Sequence, residues 1–264
     1  MTVLTRRTAV VTGGALGIGA LVAQELARQG WAVALQHDAA DKPAADAAVA
    51  AIERLGGIAT AIQADLSRDG EAALLMSEAG LRLGAVSLLA HMASLVIDDT
   101  VQCADRGIWD RLTATHVRAP LLLARHLAAQ LPSGQDGTIV LHVDQRPESL
   151  APHFLSYGLA QAGAAALVRA LAAGLAPRIR VNGLGPARPL PASAAAPIAG
   201  HDAGVEICRT LRFILETPCL SGQILALDGR EEMGWPLLSP MAETGWIRQA
   251  DYPAGQGLQQ TVPD

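Results

Sequence analysis

Residues 9–19 read Ala-Val-Val-Thr-Gly-Gly-Ala-Leu-Gly-Ile-Gly, a short apolar run that breaks into glycines and resumes as an amphipathic segment ending near Gln29. The pattern is that of a strand, a tight turn and the start of a helix. Gly13, Gly17 and Gly19 allow the backbone to turn sharply and to approach a ligand, while the N–H groups that open the helix point at negative charge, so a pyrophosphate suits the turn best. An ordinary strand-to-helix turn can carry the same spacing; its place in the first strand–helix unit is what favours a dinucleotide. At the end of the next apolar run, Gln36-His37-Asp38-Ala39-Ala40 lacks an arginine to hold a ribose 2′-phosphate. Asp38 is suited instead to accept hydrogen bonds from ribose hydroxyls and to repel a phosphate. Cys103, Cys208 and Cys219 are odd in number and far apart, with no spacing that suggests zinc or a disulfide framework, so buried free thiols are expected.

The elements that must position such groups alternate along the chain. Apolar strand-like runs fall near 8–12, 31–36, 58–63, 86–91, 137–143, 178–183 and 223–228. Between them, Ala/Leu-rich helical stretches fall near 17–29, 43–55, 71–82, 105–131, 154–175 and 203–216. This alternation predicts a parallel sheet covered on both faces, the α/β class. With 264 residues, 50% of them hydrophobic and 17% charged, the chain can bury one large core. A net charge of −5 offers no basic surface, so nucleic acid and anionic membranes are excluded as expected partners. Arg6 and Arg7 lead directly into the first strand without a separate apolar leader, and a cytoplasmic location is expected. Residues 186–200 read as an irregular loop. The strand–helix pattern stops near 230, leaving 231–264 with Gly234-Trp235 and Gly245-Trp246 as an arm on a neighbour or a poorly ordered end.

Over roughly residues 5–230 the chain resembles the short-chain dehydrogenase/reductase family. Thr12-Gly13 with Gly17-Ile18-Gly19 fits the family's nucleotide loop, Asp65-Leu66 its adenine contact, and Asn182-Gly183-Leu184-Gly185-Pro186 the Asn-x-x-Gly-Pro segment after its sixth strand. The resemblance implies a single Rossmann-like domain over 1–230, a three-layer doubly wound parallel sheet with its active site at the carboxyl ends of the strands. It also implies NAD(H) or NADP(H) as cofactor, held by Gly13, Leu16, Gly17, Ile18, Gly19, His37, Asp38, Asp65, Leu66, His91, Ala93 and Pro186. Leu16 stands where some relatives place a basic residue, and the family's discriminating acid usually falls at His37 rather than Asp38. NADH is the favoured form.

The chemistry half departs from the family. His91-Met92-Ala93-Ser94 replaces Asn-Asn-Ala-Gly, and His116 occupies the place of the asparagine of the long central helix. Asp144 takes the serine position, thirteen residues before Tyr157, and the Tyr-x-x-x-Lys signature reads Tyr157-Gly158-Leu159-Ala160-Gln161. Lys42, the only lysine, lies after the second strand, far from Tyr157. An Asp at the serine position is similar to the pteridine reductase branch, which protonates a reduced pterin through this Asp and Tyr and uses NADPH.

By this resemblance Tyr157, Asp144, Gln161 and His116 are the catalytic candidates. Tyr157 and Gln161 share a helix face, and Gln161 can reach a ribose hydroxyl but supplies no positive charge. A phenol titrates near 10, and a carboxylate beside it raises that value, so Tyr157 is expected to stay protonated and to act as an acid in a reduction. His116 is either a proton path near Tyr157 or a ring that satisfies a backbone carbonyl. Three functions stay open: a reductase of a pterin-like or other carbonyl or imine small molecule, a catalytically inactive nucleotide-binding homologue serving as a structural or regulatory subunit, and a binding protein without cofactor. The first is favoured. Ala162, Gly163, Ala164, Ala165, Ala166, Ala170, Ala172 and Ala173 allow close helix approach, and a homodimer or homotetramer is expected by the resemblance.

Overall fold

The apolar runs carry small and β-branched residues at consecutive positions, so both faces of each strand are suited to burial, and each run forms a strand. The computed structural model describes residues 7–144, 153–186 and 203–227. Along the chain lie β1 (Thr8–Thr12), α1 (Gly17–Arg28), β2 (Ala32–His37), α2 (Lys42–Arg54), β3 (Ile58–Gln63), α3 (Asp69–Leu83) and β4 (Val86–His91). They are followed by α4 (Arg106–Thr113), α5 (Ala119–Gln130), β5 (Gly137–His142), α6 (Leu155–Leu175), β6 (Ile179–Pro186), α7 (Ala203–Glu216) and β7 (Ile224–Leu227). The strands form one sheet in the order β3-β2-β1-β4-β5-β6-β7, and all six pairings are parallel.

Alternation along the strands sends side chains to two cores. Val10, Leu89, Ile139, Leu141 and Val181 pack with residues of α3, α5 and α6, whereas Ala9, Val11, Val33, Leu88, Val140 and Leu184 pack with α1, α2 and α7. The sheet order reverses beside β1, between β2 and β4. There the carboxyl ends of the strands leave a crevice, the place where open α/β sheets bind ligands.

Three local expectations change. The single helix expected over 105–131 is α4 and α5 joined by a π-helical turn, Ala114–Arg118. The sixth strand runs on to Pro186, so Asn182–Pro186 lies within it rather than after it. Asn182 Nδ2 donates to Leu220 O at 2.9 Å and its Oδ1 accepts from Gln223 N–H at 3.1 Å, which ties β6 to the approach of β7. Pro186 sits at the end of the strand opposite Leu227. The thiols are not buried as expected: Cys103 and Cys219 are exposed and Cys208 is half-buried, because 103 and 219 fall in surface turns rather than on the core faces of the elements. The tail 231–264 and the loop over 187–202 lie outside the described residues.

Candidate active site

The glycine turn leaves β1 at Thr12 and enters α1 at Gly17. Gly13 has φ +60°, and a Cβ there would come within 2.9 Å of the Ala93 Cα, so β4's end and the turn are packed backbone to backbone. Gly17 also has positive φ, 53°. At Gly19 a Cβ would lie 2.0 Å from the Gly13 carbonyl oxygen, which no side chain tolerates. The residue before the helix, Leu16, is partly exposed and makes no side-chain cap, and no acidic residue occupies the first turn of α1. Among the described residues, the orphan N–H groups and the positive helix end therefore have neither a side-chain cap nor a first-turn carboxylate, as an anion site requires. Ile18 is buried beneath the turn. The set fits a pyrophosphate.

Gln36, which the sequence reading passed over as a binding residue, braces this turn. Its Oε1 accepts from Gly13 N–H at 2.8 Å, and its Nε2 donates to Ala64 O at 2.8 Å and to Asp38 Oδ1 at 3.3 Å. A buried glutamine two residues before Asp38 at a strand end was the available signal. Asp38 stands at the rim; partial withdrawal from water, then the charges of Asp41 and Asp65, raise its pKa. His37 is buried, with Nδ1 against Asp38 O at 2.8 Å, so its ring does not project to the rim. Asp65 Oδ1 accepts from the Ser67 hydroxyl at 2.6 Å and from Ser67 N–H at 2.9 Å, bonds that with Arg68 hold its carboxyl below the usual range. Leu66 is buried in the core next to it.

Across the crevice the chemistry candidates converge. Tyr157 Oη donates to Asp144 Oδ2 at 2.7 Å, and the two residues are 2% and 5% exposed. Gln161 Oε1 accepts from Asp144 N–H at 3.1 Å, and its Nε2 donates to His116 Nδ1 at 3.1 Å. That pairing makes Nδ1 the acceptor, so the His116 proton is on Nε2, where it donates to Leu95 O at 2.9 Å. The His116 ring stands edge-on to Tyr157 with centroids 5.5 Å apart. Burial, against the smaller pulls of Leu95 O and Asp144, pushes His116 below its ordinary value, so it is neutral. It satisfies a carbonyl and orients Gln161; it does not restore the missing positive charge. Gln161 in turn spends its amide oxygen on Asp144 and its amide nitrogen on His116.

His91 is also turned inward. The Thr12 hydroxyl accepts from Met92 and Ala93 N–H, both at 3.1 Å, so it donates to His91 Nδ1 at 2.9 Å. Nε2–H then donates to Thr115 O at 3.0 Å, a carbonyl of the π-helical turn. Burial and the nearby His116 push His91 down to about 3. Its part in the site is to seat the ends of β1 and β4 and the Thr115 carbonyl against one another. Arg146, two residues after Asp144, lies outside the described residues.

A family model described as short chain dehydrogenase matches residues 7–192. The chain belongs to the short-chain dehydrogenase family. Among curated relatives, this short-chain dehydrogenase is 33% identical to an uncharacterised oxidoreductase of Methylorubrum extorquens over 187 residues, 70% of this chain and 74% of that one. Among solved structures, FolM alternative dihydrofolate reductase 1 from Brucella suis, in complex with NADP, is 36% identical with TM-score 0.78, covering 87% of this chain and 96% of that chain. A blue fluorescent protein from a metagenomic library, in complex with NADPH, is 26% identical with TM-score 0.76, covering 86% and 98%. In this short-chain dehydrogenase a neutral Gln161–His116 pair stands where the family resemblance leads one to expect an ammonium.

Proposed function

We propose that this oxidoreductase works as an NAD(P)H-dependent reductase of a pterin-like or other small carbonyl or imine compound, with Tyr157 as proton donor and Asp144 as its partner. The observation that carries the reading is the buried 2.7 Å hydrogen bond from Tyr157 Oη to Asp144 Oδ2, at the carboxyl end of the sheet across the crevice from the glycine turn. The likeness to an alternative dihydrofolate reductase, whose substrate contains a reduced pterin, supports the substrate class.

The nicotinamide supplies the hydride. The N–H groups at the start of α1 and the Gly13–Gly19 turn bind the pyrophosphate, with Gln36 keeping the turn in shape. Asp38, with the charges of Asp41 and Asp65 near it, gathers negative charge just beyond β2, and this is the ground for proposing NADH over NADPH; the solved neighbours carry NADP or NADPH. Tyr157, a buried side chain, holds its proton at Oη against Asp144 Oδ2. As negative charge develops on the substrate nitrogen or oxygen, Oη is the donor, and an Asp144 carboxyl group that has taken up a proton returns one to it. Gln161 brings no positive charge to the position where the family's ammonium would stabilise a phenolate, which favours the direction of reduction. The protein is proposed to act in the cytoplasm as a homodimer or homotetramer through α5 and α6.

Titration with NADH and NADPH, followed by nicotinamide fluorescence and by energy transfer from the four tryptophans, tests the first half. Saturable binding is expected, and the tighter nucleotide decides the role of Asp38. Turnover of a dihydropterin that falls by about 100-fold or more in Tyr157→Phe, with nucleotide binding intact, is the expected second half. Binding without turnover of any pterin, carbonyl or imine would leave the catalytically inactive homologue. No binding at millimolar nucleotide would end the reading.

A further inference from the structure

The stretch Leu95–Asp99, between β4 and α4, meets the site at both of its ends. At one end the Leu95 carbonyl accepts the His116 Nε2 proton. At the other, Asp99 forms an isolated parallel bridge with Phe154: Asp99 N–H donates to His153 O at 3.0 Å, and Leu155 N–H donates to Asp99 O at 3.2 Å. The Asp99 side chain, 1% exposed, has its own task, with Oδ1 accepting from Ser156 N–H at 2.9 Å and Oδ2 from the Ser156 hydroxyl. Between the two ends, Leu95 and Ile97 pack into the small apolar cluster that contains Phe154 and Tyr157.

These contacts compensate for a missing one. The residue that should cap α6, Phe154, makes no side-chain hydrogen bond to the helix. The first N–H groups of a helix have no acceptor within it, and without one the first turn frays. Asp99 supplies that acceptor from 57 residues earlier in the chain, and its charge is favourably placed at the positive end of the helix. Tyr157 is the residue next to Ser156, in the same turn, so the direction in which its ring leaves the backbone is set where Asp99 holds.

We propose that Asp99 is a positioning residue, fixing the first turn of α6 through Ser156 and thereby holding the Tyr157 hydroxyl on Asp144. The kinetic arm of its test rests on the reductase reading above, and the spectroscopic arm does not. The chain has two tyrosines, Tyr157 and Tyr252, so 13C-labelled tyrosine gives two ring-carbon signals, and Tyr157→Phe assigns the first. In Asp99→Ala the Tyr157 signal is expected to move or split as the hydroxyl leaves Asp144, while nucleotide affinity stays within about twofold. Where turnover is measurable, kcat falls about 10-fold or more with KM nearly unchanged, and the solvent deuterium isotope effect on kcat rises, because a displaced donor slows proton transfer and not binding. Asp99→Asn keeps an oxygen for the Ser156 N–H and recovers most of both readouts. Ser156→Ala removes only the hydroxyl and gives the same change in weaker form, which covers the case where Asp99→Ala does not fold. An unchanged Tyr157 signal in folded Asp99→Ala, or in Ser156→Ala if only that variant folds, overturns the proposal. A moved signal in a protein that reduces nothing leaves the positioning intact and removes the reductase reading instead.

Discussion

Gln161 replaces a charge with two directed hydrogen bonds, one from the Asp144 backbone and one to the His116 ring, and each residue of the site is best judged by what it holds. Gln161→Lys places a donor against His116 Nδ1, which is an acceptor, but leaves Asp144 N–H without its partner. The variant is expected to bind nucleotide as the parent does and to bring the alkaline limb of the kcat profile to lower pH, since an ammonium stabilises the phenolate. A profile superposable on the parent's would deny position 161 any electrostatic role. The buried histidines make a second prediction. His91 titrates at about 3 in the fold against 6.5 in the open chain, and His116 is also lowered. Above about pH 6.5 both states hold these rings neutral and the full stability is present. As pH falls from there toward the folded value, the unfolded chain takes up protons that the native one refuses, and stability is lost. His91→Asn removes one such proton, so its urea midpoint should fall less steeply below about pH 7 than the parent's. Equal slopes would show that His91 is not the acid-sensitive group.

Among the elements, the two that matter most are the glycine turn and the interrupted central helix. The turn was legible because its requirements are local: positive φ at Gly13 and Gly17, and a Cβ at Gly19 that would strike the Gly13 carbonyl at 2.0 Å. Gly19→Ala is accordingly expected to abolish nucleotide binding by fluorescence titration while the far-UV circular dichroism stays that of the parent. Parent-like affinity would mean that the turn rearranges freely and is no cradle. The helix interruption was legible only as Pro120, whose ring nitrogen cannot donate to the turn before it and which stands at the start of α5. What that break positions was not: the π-helical turn at Ala114–Arg118 puts His116 and the Thr115 carbonyl where Gln161 and His91 meet them. Extra turns of this kind tend to mark functional sites, but the preference that produces them lies in partners elsewhere in the chain.

At the scale of the whole molecule, α6 presents Leu159, Ala162, Ala166, Ala170 and Ala173 to solvent, whereas Ala164 and Ala172, on its other face, are buried in the core. The outward row is the face proposed to meet a second copy. Ala166→Arg is expected to lower the mass measured by light scattering, and an unchanged mass would show that this face meets water alone. Composition, apolar alternation and the glycine and Asn-x-x-Gly-Pro motifs sufficed for the sheet, its seven strands and the nucleotide turn, because strand period, glycine φ and helix ends are properties of neighbouring residues. They also placed Tyr157 and Asp144 on one site through the resemblance. Which side chains touch was decided by the tertiary structure. Thr12 meets His91 across 79 residues, Asp99 meets Ser156 across 57, and His116 meets Gln161 across 45. Such contacts leave no periodic trace in the chain, and only the packing of the helices onto the sheet settles whether an imidazole is charged and which groups a glutamine meets.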